Sequence, residues 1–197
     1  MDIDEAASRL GGRFNVIAKD GAKVLETLAL PKDAKVLDVG TGVGNFAIFL
    51  ALQGYDVITG EPATDQTHYA GKDWALNADK VGVKDSIAFQ PFDASDMPFA
   101  PGTFDAVFFF GVLHHVDEGV RSDVFREALR VGKPGSSVVF FEPSAKLLET
   151  IKVDDPTHPP AAQPSEYTAG LPVSENRLQG EMMDIYIYTA EGLQTAS

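Results

Sequence analysis

Apolar positions recur along the chain in two rhythms, and the rhythms alternate. Phe14, Ile17, Val24, Leu25 and Leu28 fall at helical spacing, and Asp20 is placed to cap the second part of that stretch. Residues 1–13 are polar, contain Gly11-Gly12 and read as loosely ordered. After a turn at residues 31–33, a short strand is expected at 35–39 and a helix at 45–53, closed by Gly54. Further strands are expected at 56–59, 86–90, 104–110 and 137–141. Helices are expected at 67–81, with Tyr69, Trp74 and Ala78 inward, and at 121–131, with Val124, Phe125, Ala128 and Leu129 on one side. A turn at 132–135 precedes the fifth strand. Strands that are apolar throughout, alternating with helices, specify an α/β fold with a parallel sheet covered on both faces.

The tail follows a different pattern. Prolines stand at 156, 159, 160, 164 and 172, with a short helix expected at 165–169. Beyond them, residues 172–179 and 182–189 flank Gly180-Glu181, and the second run is rich in strand formers. Two such runs around a glycine turn read as an antiparallel hairpin. The expectation is therefore five parallel strands finished by a hairpin at one edge, within one domain spanning 1–197. That domain divides into an N-terminal helical segment (1–30), a core (33–145) and a Pro-rich crossover with the hairpin (146–197).

Composition narrows the partners. Sixteen Lys+Arg against 29 Asp+Glu give a net charge of −13. A field of that sign repels nucleic acid and anionic membranes. Cysteine is absent, which excludes disulfides, thiolate metal sites and a cysteine nucleophile. The start, Met-Asp-Ile-Asp-Glu, resembles neither a secretory leader nor a transit peptide, and no apolar run approaches a membrane span. These features point to a cytoplasmic protein with no membrane or nucleic-acid partner, a monomer or homodimer.

The candidate chemistry begins at Val-Leu-Asp-Val-Gly-Thr-Gly-Val-Gly-Asn-Phe, residues 36–46. Gly40, Gly42 and Gly44 lie between a strand and a helix, where the chain turns tightly and a ligand meets the backbone. A dinucleotide fingerprint beginning at Gly40 needs glycine at 45, and that position is Asn. The pattern is G-x-G-x-G, with Asp38 two residues ahead. An acid there suits a ligand with an ammonium or sulfonium group better than a pyrophosphate.

This spacing, together with Asp38, resembles motif I of the class I S-adenosylmethionine (SAM)-dependent methyltransferases. The resemblance covers about residues 33–145. It implies a Rossmann-like, doubly wound, mostly parallel sheet of seven strands, and contacts to SAM from Thr41 and the three glycines. It also implies that an acid closing the second strand holds the ribose hydroxyls. Glu61, followed by Pro62, fits; the competing reading is a solvated loop carboxylate. After the third strand, Asp93 fits the acid that accepts from the adenine amino group, and Phe92 or Ala94 fits the apolar wall. Asp96 competes with Asp93 but lies nearer the surface turn. Residues 109–116, Phe-Phe-Gly-Val-Leu-His-His-Val, look like the segment under the transferable methyl. There Phe110 offers an aromatic face to a sulfonium, and Gly111 follows it.

The implied activity is methyl transfer to a small molecule by in-line displacement. Alignment does most of that work, and a base is needed only for a protonated acceptor. His115, just past the fourth strand, is the candidate base. His114, His115, Asp117 and Glu118 lack the spacing of a helical metal site, so no metal is assigned. No Asp-Asn-Ser-(Pro)-Pro-Tyr type of motif, which marks many amino-group methyltransferases of nucleic acids, follows the fourth strand; Gly111-Val-Leu-His-His stands there. Two alternatives stay open: an NAD(P)-dependent oxidoreductase, and a non-catalytic SAM-binding accessory protein. The Pro-rich run, with His158 and Tyr167, either closes over the pocket or acts as a stiff connector.

Overall fold

A computed structural model describes residues 1–65 and 70–191. The strands are β1 (Lys35–Val39), β2 (Asp56–Gly60), β3 (Ile87–Phe89), β4 (Phe104–Phe110), β5 (Gly132–Pro143), β6 (Val173–Gln179) and β7 (Met183–Ala190). They form a seven-stranded sheet in the order β3-β2-β1-β4-β5-β7-β6. The first five pair in parallel, and β7 is antiparallel to both β5 and β6. The hairpin thus attaches through its second strand, which lies between β5 and β6.

Helices α1 (Ile3–Leu10), α2 (Gly12–Leu28), α3 (Asn45–Leu52), α4 (Trp74–Lys80), α5 (Arg121–Val131) and α6 (Ala145–Asp154) complete the chain. Side chains alternate across each strand, which divides the core in two. Val36, Phe108, Val139, Phe141 and Ile185 point toward α2 and α3, where Phe14, Phe46 and Phe49 meet them. Leu37, Val107, Phe109, Phe140 and Tyr188 point the other way, onto Val124, Phe125 and Ala128 of α5. Both faces are covered, as continuous apolar strands require. The outer strand β6 is mostly exposed and charged, with Arg177 bonded to Glu175 at 2.6 Å. Such an edge discourages pairing with another chain.

Several elements depart from the sequence expectation. Residues 3–10 are helical, because Ile3, Ala6, Ala7 and Leu10 form a stripe that packs on the core and Asp2 accepts the Glu5 N–H at 2.8 Å. Helix α2 runs unbroken through Asp20, so Asp20 is not a cap. It is buried and accepts the backbone N–H groups of Glu181, Met182 and Met183 at the hairpin turn. The turn expected at 132–135 is drawn into β5, with a register shift opposite residues 104–106. Helix α6 was not legible, since none of its residues is fully buried. In the helix expected at 67–81, Trp74–Lys80 is helical; Tyr69 lies outside the described residues. The short helix near 165 is a 3-10 turn, Pro164–Tyr167.

Candidate functional site

Five parallel strands bring five loops to one edge of the sheet. Across that edge stand Asp93 after β3, Glu61 after β2, the glycine loop after β1, residues 111–115 after β4, and Glu142 near the end of β5. The chain reverses direction of travel between β1 and β4, which is where ligands settle in sheets of this kind.

The glycine loop is built on positive backbone angles, φ 88° at Gly40, 49° at Gly42 and 82° at Gly44. Its packing is as demanding as its turns. A Cβ on Gly40 would stand 2.4 Å from the Val112 side chain, so the β1 and β4 loops touch there. Beneath the loop, Asp38 and Thr59 are register partners on β1 and β2. Thr59 donates its hydroxyl to Asp38 Oδ2 at 2.8 Å, and the Thr41 hydroxyl lies 2.9 Å from that of Thr59. Asp38 is 1% exposed, and its Oδ1 has no hydrogen-bond partner among the described residues. Burial pushes the Asp38 carboxyl up to about 7, opposed by the Thr59 bond and reinforced by the negative Glu61.

Glu61 reaches back over the loop. Its Oε2 accepts the Gly42 N–H at 2.9 Å and its Oε1 accepts the Gly71 N–H at 2.7 Å. Pro62 opens a turn closed by the Asp65 N–H at 3.0 Å. Gly60 cannot carry a side chain, because a Cβ would lie 2.0 Å from the Gln90 carbonyl and 2.4 Å from the Phe92 ring. Phe92 is buried, Ala94 half-buried and Asp93 exposed. Asp93 Oδ1 accepts from the Ser95 N–H and hydroxyl at 2.8 and 2.7 Å. Phe110 is half-buried and stacks on Phe46 at 5.0 Å, with Phe141 at 4.8 Å. Gly111 holds φ 69° and donates its N–H to the Phe141 carbonyl at 2.8 Å.

The β4 loop continues into a 3-10 turn, Leu113–His115. His115 is exposed and His114 is buried. His114 Nδ1 lies 2.9 Å from Glu142 Oε2, and the Ala162 N–H bonds the same oxygen at 2.8 Å. His158 arrives from the Pro-rich segment; its ring centroid is 5.1 Å from those of both His114 and His115. Arg121 ties this segment down, bonding the Tyr167 hydroxyl at 2.9 Å and the Val116 carbonyl at 3.0 Å. The Pro-rich run therefore lies on the histidine loop.

The structure joins Asp38 to Thr41 through Thr59, bonds the Gly42 N–H to Glu61, and puts Val112 against Gly40. The sequence reading singled out neither Thr59 nor Glu142. Each had a signal: a polar residue inside a central strand, and an acid directly after the apolar run 138–141. His158 was named only as part of the Pro-rich run, because proximity across the tertiary fold leaves no local pattern.

Comparison with known proteins gives a consistent result. A family model described as "Methyltransferase domain" matches residues 37–140. The chain is 31% identical over 133 residues to 27-O-demethylrifamycin SV methyltransferase of Amycolatopsis mediterranei, covering 68% of this chain and 43% of that one. It is 27% identical over 157 residues to norajmaline N-methyltransferase of Rauvolfia serpentina, covering 78% and 48%. The chain thus spans less than half the length of these curated relatives. In fold it matches a SAM-dependent methyltransferase from Aquifex aeolicus with TM-score 0.66 and 20% identity, covering 96% of this chain and 98% of that one.

Proposed function

Because the chain belongs to the class I SAM-dependent methyltransferases, we propose that it transfers a methyl group from SAM to a small-molecule acceptor at the edge formed by the β1, β2, β3 and β4 loops. The single observation that carries this reading is the buried group beneath the glycine loop. Asp38 Oδ1 is buried without a partner, and a cationic ligand group above it compensates the carboxylate.

The remaining residues fit the rest of the cofactor. Glu61 holds two N–H groups with its two oxygens; turned to a vicinal diol, the same oxygens accept two hydroxyls. Phe92 and Ala94 form the apolar wall for a purine, with Asp93 at its rim. Phe110 presents its ring beside the glycine loop, and Gly111 lets the β4 loop pass close by. SAM supplies an activated methyl whose bond to sulfur breaks as the acceptor's lone pair forms the new bond. The chain's residues hold the two reactants in line, which in favourable cases removes ~7–11 kcal/mol of barrier. Where the acceptor carries a proton, the exposed His115 is the candidate to receive it.

The relatives' names carry an oxygen and a nitrogen acceptor, so the family position favours a small molecule without fixing its atom. A charge of −13 favours a neutral or cationic acceptor and no nucleic acid. The absence of cysteine fits a cytoplasmic protein, and one domain over 1–197 acting as a monomer or homodimer belongs to the same proposal. Among the described residues no helix is long and apolar enough to cross a membrane. The test is turnover of labelled SAM against a panel of small hydroxyl, amine and thiol acceptors. Labelled product is expected with at least one class. Cofactor binding without turnover of any acceptor supports an accessory protein instead.

A further inference from the structure

Three imidazoles meet where the β4 loop and the Pro-rich segment cross. One ring nitrogen from each of His114, His115 and His158 lies within 4.8 Å of the others. We infer that these three side chains form a binding site for a first-row divalent cation of the Zn²⁺ type.

Two of the rings are already oriented. His114 Nδ1 is 2.9 Å from a Glu142 carboxylate oxygen, and His158 Nδ1 is 2.9 Å from the Pro159 carbonyl. Both partners are acceptors, so each Nδ1 carries a proton and each Nε2 becomes the ring's lone-pair atom. Carboxylates and carbonyls set histidine ligands around a metal in this way. Charge supports the same conclusion. Glu142 is 0% exposed, and its Oε1 has no hydrogen-bond partner among the described residues. A cation on the far side of the His114 ring offsets that buried negative charge.

The donor set selects the metal. Three neutral nitrogens with no carboxylate among them suit Zn²⁺, Ni²⁺ or Co²⁺ and do not suit Mg²⁺ or Ca²⁺. Zn–N bonds of about 2.0–2.1 Å require nitrogens about 3.4 Å apart, a modest closure from the present spread. Neither Asp117 nor Glu118 belongs to the cluster; the remote His158 completes it. Three protein ligands leave a fourth position, reachable from solvent because His115 is exposed. The site begins two residues after Val112, which packs on Gly40. If methyl transfer proceeds as proposed, an acceptor heteroatom in that fourth position loses its proton to solvent more readily, and His115 serves as a ligand instead of a base. Cation binding itself does not rest on that reading.

The test uses the full chain without a polyhistidine tag, stripped with chelator and dialysed against Zn²⁺. A parallel titration with Co²⁺ is followed by visible absorption, and one with S-adenosylhomocysteine by calorimetry. One Zn²⁺ per chain and d–d bands with Co²⁺ are expected. His158→Ala and His115→Ala should each weaken uptake by more than about 100-fold, and Glu142→Gln by about 10-fold, with S-adenosylhomocysteine still bound. His115 is exposed, so its variant keeps the test valid if the other fails to fold. No stoichiometric uptake by protein that binds S-adenosylhomocysteine overturns the cation site and leaves the methyl-transfer reading standing. Uptake unchanged in both histidine variants also overturns it.

Discussion

Asp38 is the buried acid through which the proposed SAM site ties binding to a proton and to the fold. In the ligand-free protein its carboxyl titrates near 7, because burial favours the neutral form. A cationic group bound above it favours the ionised form, so binding expels a proton when the pH is below that value. SAM affinity should therefore rise between about pH 6 and pH 8, and Asp38→Asn should flatten the profile. Calorimetry in buffers of different ionisation enthalpy reads the released proton directly. Stability without ligand runs the opposite way. The folded pKa is raised, so the group's contribution is full below the ordinary carboxyl value of 3.8 and is lost as pH rises through about 7. Urea titrations of wild type across that window should show the decline, and Asp38→Asn should reduce it. Glu61 gives a second test at the same scale. Its replacement by Ala should weaken binding of SAM by about 1.5–3 kcal/mol if it holds the ribose diol. Unchanged affinity would return Glu61 to a purely structural role, holding the Gly42 and Gly71 N–H groups.

Elements were legible where local pattern and tertiary environment agree. Strands β1 and β4 and helix α5 lie where the apolar periodicity put them, because a central parallel strand is buried on both faces and must be apolar throughout. The G-x-G-x-G turn was legible because its signal is local, with glycine at three positions where φ is positive. Asp20 was not. Its sequence position suits a helix cap, while its actual partners are three N–H groups on a turn far along the chain. Gly180 stands there because a Cβ would lie 2.5 Å from the Asp20 carboxylate. Asp20→Ala should destabilise the fold by about 2–3 kcal/mol, since it strands buried donors; urea denaturation measures this. Its effect on cofactor affinity should be small, because the β6–β7 turn stands three strands along the sheet from the glycine loop. Helix α6 escaped the reading because none of its residues is fully buried, leaving its apolar stripe weak. A different reason hid the histidine cluster: His114 and His115 are adjacent in sequence, but His158 joins them only through the path of the Pro-rich segment. At the β2–β3 contact, Gly60→Ala should cost about 1–3 kcal/mol by overpacking, lowering the urea midpoint, because both the Gln90 carbonyl and the Phe92 ring are in the way.

At the scale of the molecule, the topology does the positioning. Five loops share one edge because five strands are parallel, and the β6–β7 turn joins the same edge three strands from β1, since Met183 at the start of the antiparallel β7 pairs with Pro143 at the end of β5. The acidity is partly specific: Asp38, Glu61, Asp93 and Glu142 stand along that edge. Most of the −13 has no such assignment and bears on which partners the surface repels. Duplex DNA should accordingly show no retention by the protein in filter binding, even at ~50 mM salt. Whether this edge binds SAM is read by calorimetric titration of the folded chain with S-adenosylhomocysteine and, separately, with NADH. One S-adenosylhomocysteine bound per chain, weakened by Glu61→Ala, and no binding of NADH are expected. A protein folded by circular dichroism that takes up no S-adenosylhomocysteine, or that binds NADH tightly, would contradict SAM binding at this edge.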